Sequence, residues 1–250
     1  TAPVAEAPGG LRLPDDGGWD VPAGAAYVHL CANETIQGLE YLSDPAYQGE
    51  APLVADFTST LLSRPVDVRR YGVIYASSGK NLGPSGFAVV IVRRDLLERG
   101  ARPATPSILD WSRLAEPAPI PSLYNTPATF PIYLSALVLD DLVARGGLAA
   151  AERRAIERAA RVYRQIDDSD GFYTSAVHPP HRSRMNVPFR IRGGDAALEA
   201  RFVREAEARG LHQLFGHPRF GGLRASLYNG VPDEAVEALE GFLEEFRRAA

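Results

Sequence analysis

Lys80 is the single lysine of the chain, set against twenty-six arginines. A guanidinium stays protonated in a protein, whereas a desolvated lysine amine can lose its proton and attack a carbonyl. Where only positive charge was needed, this composition supplied arginine, so the one lysine marks a position that needs an amine. Its surroundings agree: Val73-Ile74-Tyr75-Ala76 is a short apolar run, and Ser77-Ser78-Gly79-Lys80-Asn81-Leu82-Gly83-Pro84 is small and turn-forming. Lys80 is therefore read as a Schiff-base lysine; chance retention of one lysine accounts for the count but not the neighbourhood. Asp56 closes the apolar run Pro52-Leu53-Val54-Ala55. A carboxylate at the carboxyl end of a parallel strand faces the crevice where α/β sheets bind ligands. The competing role is a strand-end aspartate bonding its own turn.

A Schiff-base lysine serves aldolases, decarboxylases and pyridoxal phosphate enzymes alike. The last group also needs a carboxylate beside the protonated pyridine nitrogen, so that the ring draws electrons, and Asp56 is the candidate. A nucleotide P-loop is excluded, because Asn81 stands where a metal-binding Ser or Thr belongs and Ile74 where the first glycine belongs. His178, His181 and His212 have no metal-ligand spacing with one another or with Cys31. Cys31, at the end of an apolar run, reads as an inert core thiol. A lone cysteine excludes an intrachain disulfide and fits a reducing, cytoplasmic setting. Arg182 and Arg184 are considered for an anionic pocket, with surface charge as the default for at least one.

The elements that must position these groups follow from pattern. Apolar or β-branched runs at 25–31, 52–57, 72–76 and 87–93 predict buried strands. Residues 103–131 are proline-dense and aperiodic but carry apolar anchors, which suits an ordered wandering segment. Helices are expected at 132–145, 148–166, 195–209 and 232–248, the last capped by Asp233 or the residue before it, with strands at 185–191 and 223–228. The chain is thus read as α/β, with a sheet-bearing large domain over 1–139 and a small α/β domain over 140–250. At 250 residues and 45% apolar content it holds enough for real cores. A net charge of −4 offers no basic face for nucleic acid. No run approaches the ~18 apolar residues of a membrane span. Asn33-Glu34-Thr35 matches a glycosylation triplet, but no secretory feature accompanies it. No complete βαβ unit precedes the first strand, so the beginning of this α/β domain is expected elsewhere.

The blocks Asn33-Glu34-Thr35-Ile36, Ala55-Asp56-Phe57-Thr58-Ser59, Leu62-Ser63-Arg64-Pro65-Val66-Asp67-Val68 and Lys80-Asn81-Leu82-Gly83-Pro84 resemble the phosphoserine aminotransferase family. So do Pro106-Ser107-Ile108-Leu109-Asp110, Tyr124-Asn125-Thr126-Pro127, Ser183-Arg184-Met185-Asn186-Val187-Pro188-Phe189 and Gly221-Gly222-Leu223-Arg224-Ala225-Ser226-Leu227-Tyr228-Asn229, in family order. The resemblance implies a fold type I, pyridoxal 5'-phosphate-dependent homodimer with a mainly parallel large-domain sheet. Its reaction passes the amino group of glutamate to 3-phosphohydroxypyruvate in serine biosynthesis, with 4-phosphohydroxythreonine of pyridoxine biosynthesis as a further substrate. It implies that Lys80 carries the Schiff base and moves the proton, that Asp56 pairs with the pyridinium and that the Thr35 hydroxyl bonds the cofactor. Asn125 and Thr126 match residues reaching the cofactor phosphate of the neighbouring subunit. Arg224 matches the arginine that grips the substrate α-carboxylate, and His217 a residue of the distal acidic-group pocket.

Three departures stand out. Gly79 replaces a glutamine that touches the cofactor phosphate, leaving Ser77 or Ser78 to replace that contact. Pro218 replaces a distal-group arginine, for which Arg219 is the candidate substitute. The family's N-terminal part, with its glycine-rich phosphate loop, has no counterpart in these residues, so this chain alone is expected to bind the cofactor weakly. The alternatives are a catalytically silent fragment or paralogue acting as a dimerisation partner, and a related aminotransferase with another substrate.

Overall fold

The computed structural model describes residues 5–7, 10–15, 18–115 and 122–250. The chain enters through a hairpin, β1 (Ala5–Ala7) and β2 (Gly10–Arg12), and Leu11 bridges to Val177 far along the chain. The first main sheet then forms from β3 (Val28–Cys31), β6 (Leu53–Asp56), β7 (Val73–Ser77) and β8 (Ala88–Val92), in that order. Between β3 and β6 lies a small hairpin of β4 (Asn33–Glu34) and β5 (Leu39–Glu40). β3, β6 and β7 are parallel, as expected of buried apolar runs, but β8 returns antiparallel to β7. A parallel return needs a crossover of a dozen or more residues, and the chain between Ser77 and Ala88 is too short for one. The sheet is mixed and mostly parallel. Leu30, Leu53, Phe57, Tyr71 and Ile74 are buried in its core.

The proline-dense segment holds two short helical turns after α1 (Arg94–Glu98): a 3-10 turn at Ser107–Leu109 and α2 (Trp111–Ala115). Pro117, Pro119 and Pro121 lie outside the described residues. α3 (Thr129–Ala144) follows the expected helix, yet it is apolar on all sides. Of its residues only Ser135 and Leu142 are buried, while Phe130, Tyr133, Leu137 and Val143 are exposed.

The remainder is an antiparallel sheet of order β11-β12-β10-β9, made of β9 (Tyr173–Thr174), β10 (Asn186–Ile191), β11 (Phe215–His217) and β12 (Gly221–Ser226). α4 (Gly147–Asp167), α5 (Ala196–Glu207) and α6 (Asp233–Ala249) bury their apolar stripes with it. In α6 that stripe is Val236, Leu239, Phe242, Leu243 and Phe246, the spacing of one helical face. Each such side chain contributes about 1.5–3 kcal/mol on full burial. Asp195 caps α5 by accepting the N–H groups of Ala197 and Leu198. Of the two cap candidates for α6, Pro232, the residue before Asp233, holds the cap position without a side-chain bond, and Asp233 inside the first turn pairs with Arg158 at 2.6 Å.

The two cores are joined by buried polar groups. Asn33 Nδ2 donates to Ser59 Oγ and to Asn186 Oδ1, both at 2.8 Å. Ser183 Oγ donates to Asn33 Oδ1 at 2.5 Å. The carbonyl of Gly38, in the β4–β5 turn, accepts the Ser183 N–H at 2.8 Å.

Candidate active site

Three parallel strands deliver their chemistry at one end. Cys31 is in register with Asp56, and Asp56 with Tyr75, so the carboxyl ends of β3, β6 and β7 lie side by side. The chain leaving β3 carries Thr35, β6 ends on Asp56, and the turn after β7 carries Lys80. Lys80 Nζ donates to Thr35 Oγ1 at 2.8 Å. The loop that holds Lys80 rests on α3: a Cβ on Gly83, whose φ is +143°, would meet Ser135 Oγ at 2.6 Å. Close helix packing thus explains a glycine three residues after the lysine.

Lys80 is half-buried, and loss of water lowers its pKa below the ordinary lysine value. The negative charge of Asp56 opposes that shift, and the positive charge of Arg224 adds to it. Asp56 Oδ1 accepts the Thr58 N–H at 2.7 Å, so the turn-bonding role weighed against it is real and occupies one of its two oxygens. Tyr75, whose hydroxyl is 2.9 Å from His29 Nε2, has its pKa raised by burial and then by Asp56. Cys31 is pushed up to about 12 by burial and by the charges of Glu34 and Asp56, while its bond to the Asn33 carbonyl and the nearby Lys80 pull the other way. That thiol stays protonated, as an inert core cysteine should. Burial also raises the pKa of Glu34, and the negative charge of Asp56 adds to that shift.

The second sheet contributes from across the molecule. Arg224 on β12 reaches the Thr35 carbonyl with Nη1 at 3.5 Å, a long contact that leaves its other donors available. The Tyr228 ring centroid is 5.9 Å from Lys80 Nζ. Asn229 donates its N–H to Asn81 Oδ1 at 2.9 Å, one residue beyond the lysine. Lys80, Thr35, Asp56 and Arg224 are therefore brought together.

Of the four other expected residues, His217 lines one cavity together with Arg224. His217 and Arg219 occupy the β11–β12 turn, where His217 Nδ1 accepts the Arg219 N–H at 3.2 Å. The exposed Arg219 guanidinium lies 5.9 Å from the Phe220 ring. Asn125 and Thr126 are exposed on the segment leading into α3. Of the two arginines weighed for an anionic pocket, Arg182 pairs with the exposed Asp167 at 2.6 Å, and Arg184 is a buried partner of Glu40. Both guanidiniums already hold carboxylates, so neither is offered to an anionic ligand. Sequence reasoning missed Tyr228, since an aromatic residue just past a strand carries no periodic signal of what it covers.

The donor set fits a pyridoxal-type group. It offers an amine for a carbonyl, a carboxylate for a ring nitrogen, a hydroxyl beside the amine and a guanidinium for a substrate carboxylate. The phosphate side is sparser. The Ser78 side chain has no exposed surface and its Oγ accepts the Phe87 N–H at 3.3 Å. Of the two serines considered there, only Ser77 is exposed.

A family model described as aminotransferase class-V matches residues 6–239. The chain belongs to the class-V aminotransferase family. It is 49% identical over 248 residues to a phosphoserine aminotransferase of Stenotrophomonas maltophilia (strain R551-3), covering 99% of this chain and 66% of that protein. A phosphoserine aminotransferase of Burkholderia vietnamiensis is also 49% identical, over 97% of this chain and 65% of its own length. This class-V chain thus spans just under two thirds of the length of the curated relatives it matches. Among solved structures, phosphoserine aminotransferase from Bacillus circulans subsp. alkalophilus superposes with a TM-score of 0.89 at 42% identity, covering 95% of this chain and 64% of that one. A pyridoxal phosphate-bound phosphoserine aminotransferase from Trichomonas vaginalis gives 0.84 at 39% identity, over 90% and 62%. The fold is that of the fold type I aminotransferases, as the resemblance implied.

Proposed function

We propose that this chain carries the lysine-bearing part of a phosphoserine aminotransferase, which passes an amino group between glutamate and 3-phosphohydroxypyruvate. The observation that carries the reading is the half-buried Lys80 amine at the carboxyl ends of three parallel strands, 2.8 Å from Thr35 and influenced by Asp56 and Arg224. Pyridoxal phosphate, when bound, supplies an aldehyde and an electron-accepting ring. Lys80 Nζ, its proton affinity lowered by burial, would hold that group through its amine and would be the base that moves a proton at the substrate α-carbon. Asp56 holds a proton on a ring nitrogen through its negative charge, and Thr35 orients the amine. Arg224 takes the substrate α-carboxylate with a two-pronged grip suited to guanidinium.

His217 and Arg219 are assigned to the substrate's distal acidic group, with Arg219 serving in place of the arginine that Pro218 displaces. Asn125 and Thr126 are assigned to the cofactor phosphate of a second copy, which makes the active form a homodimer. Their exposure, and the exposed apolar surface of the adjoining α3, support a partner-facing role. The large and small domains divide near residue 139, with residues 140–250 as the small one. Among the described residues no helix is long and apolar enough to cross a membrane, and a cytoplasmic enzyme is the reading adopted.

The test is chemical trapping. Borohydride reduction at saturating pyridoxal phosphate is expected to fix the cofactor on the peptide containing Lys80. Lys80→Arg keeps the charge, removes the nucleophile and should abolish both trapping and transamination while leaving the fold intact. Retained turnover in that variant would sink the mechanism.

A further inference from the structure

The aromatic ring facing the Lys80 amine comes from the other half of the molecule. Tyr228 follows β12, and Lys80 Nζ lies over its ring, 5.9 Å from the centroid. Its backbone is held on both sides: Leu227 N–H donates to the Met185 carbonyl at 2.7 Å, and Asn229 N–H to Asn81 Oδ1 at 2.9 Å. The Asn229 amide also donates to the Leu62 carbonyl at 2.8 Å. Leu62 adopts a left-handed φ of +67°, a conformation a leucine keeps only when its surroundings hold it. The Tyr228 hydroxyl accepts from Asn186 Nδ2 at 3.2 Å, and Asn186 is fixed by Asn33. Thr35 accepts from the same amine at 2.8 Å.

We propose that Tyr228 is a positioning residue for Lys80: its ring supports the protonated amine, and its hydroxyl, tied to Asn186, keeps ring and amine in register. The consequence for turnover rests on the reading of Lys80 as the cofactor-binding amine; the contact itself does not. Asp56 and Cys31 bear on the amine from the first sheet, Arg224 from β12, Thr35 from the turn after β3, and Tyr228 from the chain after β12. Burial and Arg224 favour the neutral amine, and Asp56 favours the charged one. A cation over an aromatic face is also stabilised, so losing the ring should shift the amine further toward neutrality.

Because the chain has one lysine, its titration can be read without cofactor. The pH dependence of acetylation by acetic anhydride, quantified on the Lys80 peptide by mass spectrometry, gives the midpoint directly. Tyr228→Leu is expected to lower it by roughly half a unit, the equivalent of one exposed cation–π contact. Tyr228→Phe retains the ring but frees it from Asn186, and should fall between Tyr228→Leu and the parent protein. Asn186→Ala should shift it in the same direction. An unchanged midpoint in a folded Tyr228→Leu protein overturns the proposal. If that variant does not fold, unchanged midpoints in Tyr228→Phe and Asn186→Ala overturn it equally. Failure of borohydride trapping in the parent protein strikes the cofactor reading instead and leaves these midpoints interpretable.

Discussion

Arg184 donates its backbone N–H to one oxygen of Glu40 at 2.7 Å and its guanidinium to the other at 2.6 Å, and the Glu40 side chain has no exposed surface. The two residues belong to different halves of the chain, so this pair ties the β4–β5 hairpin to the segment that enters β10. Arg184 also reaches Glu152 on α4 at 3.2 Å. Burying two charges costs much of what their attraction returns, but removing one leaves the other stranded. Arg184→Met should therefore destabilise the protein by about 3–5 kcal/mol. Adding Glu40→Gln, which neutralises the stranded carboxylate, should restore part of that loss. Urea unfolding of the two single variants and the double variant decides it; an Arg184→Met cost below about 1 kcal/mol would contradict the buried-pair account.

Gly38 has φ +75°, and a Cβ there would stand 2.3 Å from Pro188 Cδ on β10. Alanine must accept both a left-handed backbone and a clash with a rigid ring, so Gly38→Ala should cost about 2–4 kcal/mol. Gly241, on the exposed face of α6, has nothing within 4 Å of such a Cβ. There the same change should stabilise by up to ~1 kcal/mol through helix propensity. Thermal unfolding of the two variants should move in opposite directions, and equal shifts would refute the argument.

The first sheet was legible because β6 and β7 are short apolar runs closed by polar, turn-forming residues. Lys80 was legible from composition alone, as one amine among guanidiniums, and Asp56 from its place at a strand end. The reversal of β8 was not read, because an apolar run does not encode its direction. The Glu40–Arg184 pair was hidden for a related reason: nothing local in either segment shows which distant charge will meet it. α3 shows the limit of periodicity. Its pattern predicted a helix correctly, but a helix apolar on all sides does not declare which face packs inward.

Cys31 gives a prediction with a clear sign. The thiolate is the reactive form, and burial with two nearby carboxylates pushes the thiol from its ordinary 9.0 up to about 12. At pH 8 the folded protein should therefore alkylate about 1000-fold more slowly than the urea-unfolded chain, on thiolate fraction alone. In the folded state the rate should keep climbing through pH 9 and 10 rather than level off. Iodoacetamide labelling followed by intact mass measures both, and a folded-state rate that follows the unfolded chain's pH profile, half-maximal near its ordinary 9.0, would show that the thiol is not held protonated.

Arg224 influences Lys80 through charge and is proposed to bind substrate through shape, and two substitutions separate these roles. Its positive charge helps to depress the lysine pKa, so Arg224→Gln should raise the Lys80 acetylation midpoint toward the ordinary lysine value. At a fixed pH below that midpoint, the neutral fraction and the labelling rate both fall. Arg224→Lys retains the charge and should hold the Lys80 midpoint near that of the parent, read on the Lys80 peptide so that the new amine does not interfere. Both variants lose the paired donors that match a carboxylate, so both should weaken glutamate binding by at least about tenfold, the equivalent of one charge-assisted hydrogen bond. Arg219→Ala provides the contrast: it should weaken phosphorylated acceptors while sparing glutamate. If Arg224→Lys binds glutamate as well as the parent does, Arg224 is not the carboxylate grip. If Arg219→Ala harms both substrates equally, Arg219 has not replaced the arginine absent at Pro218.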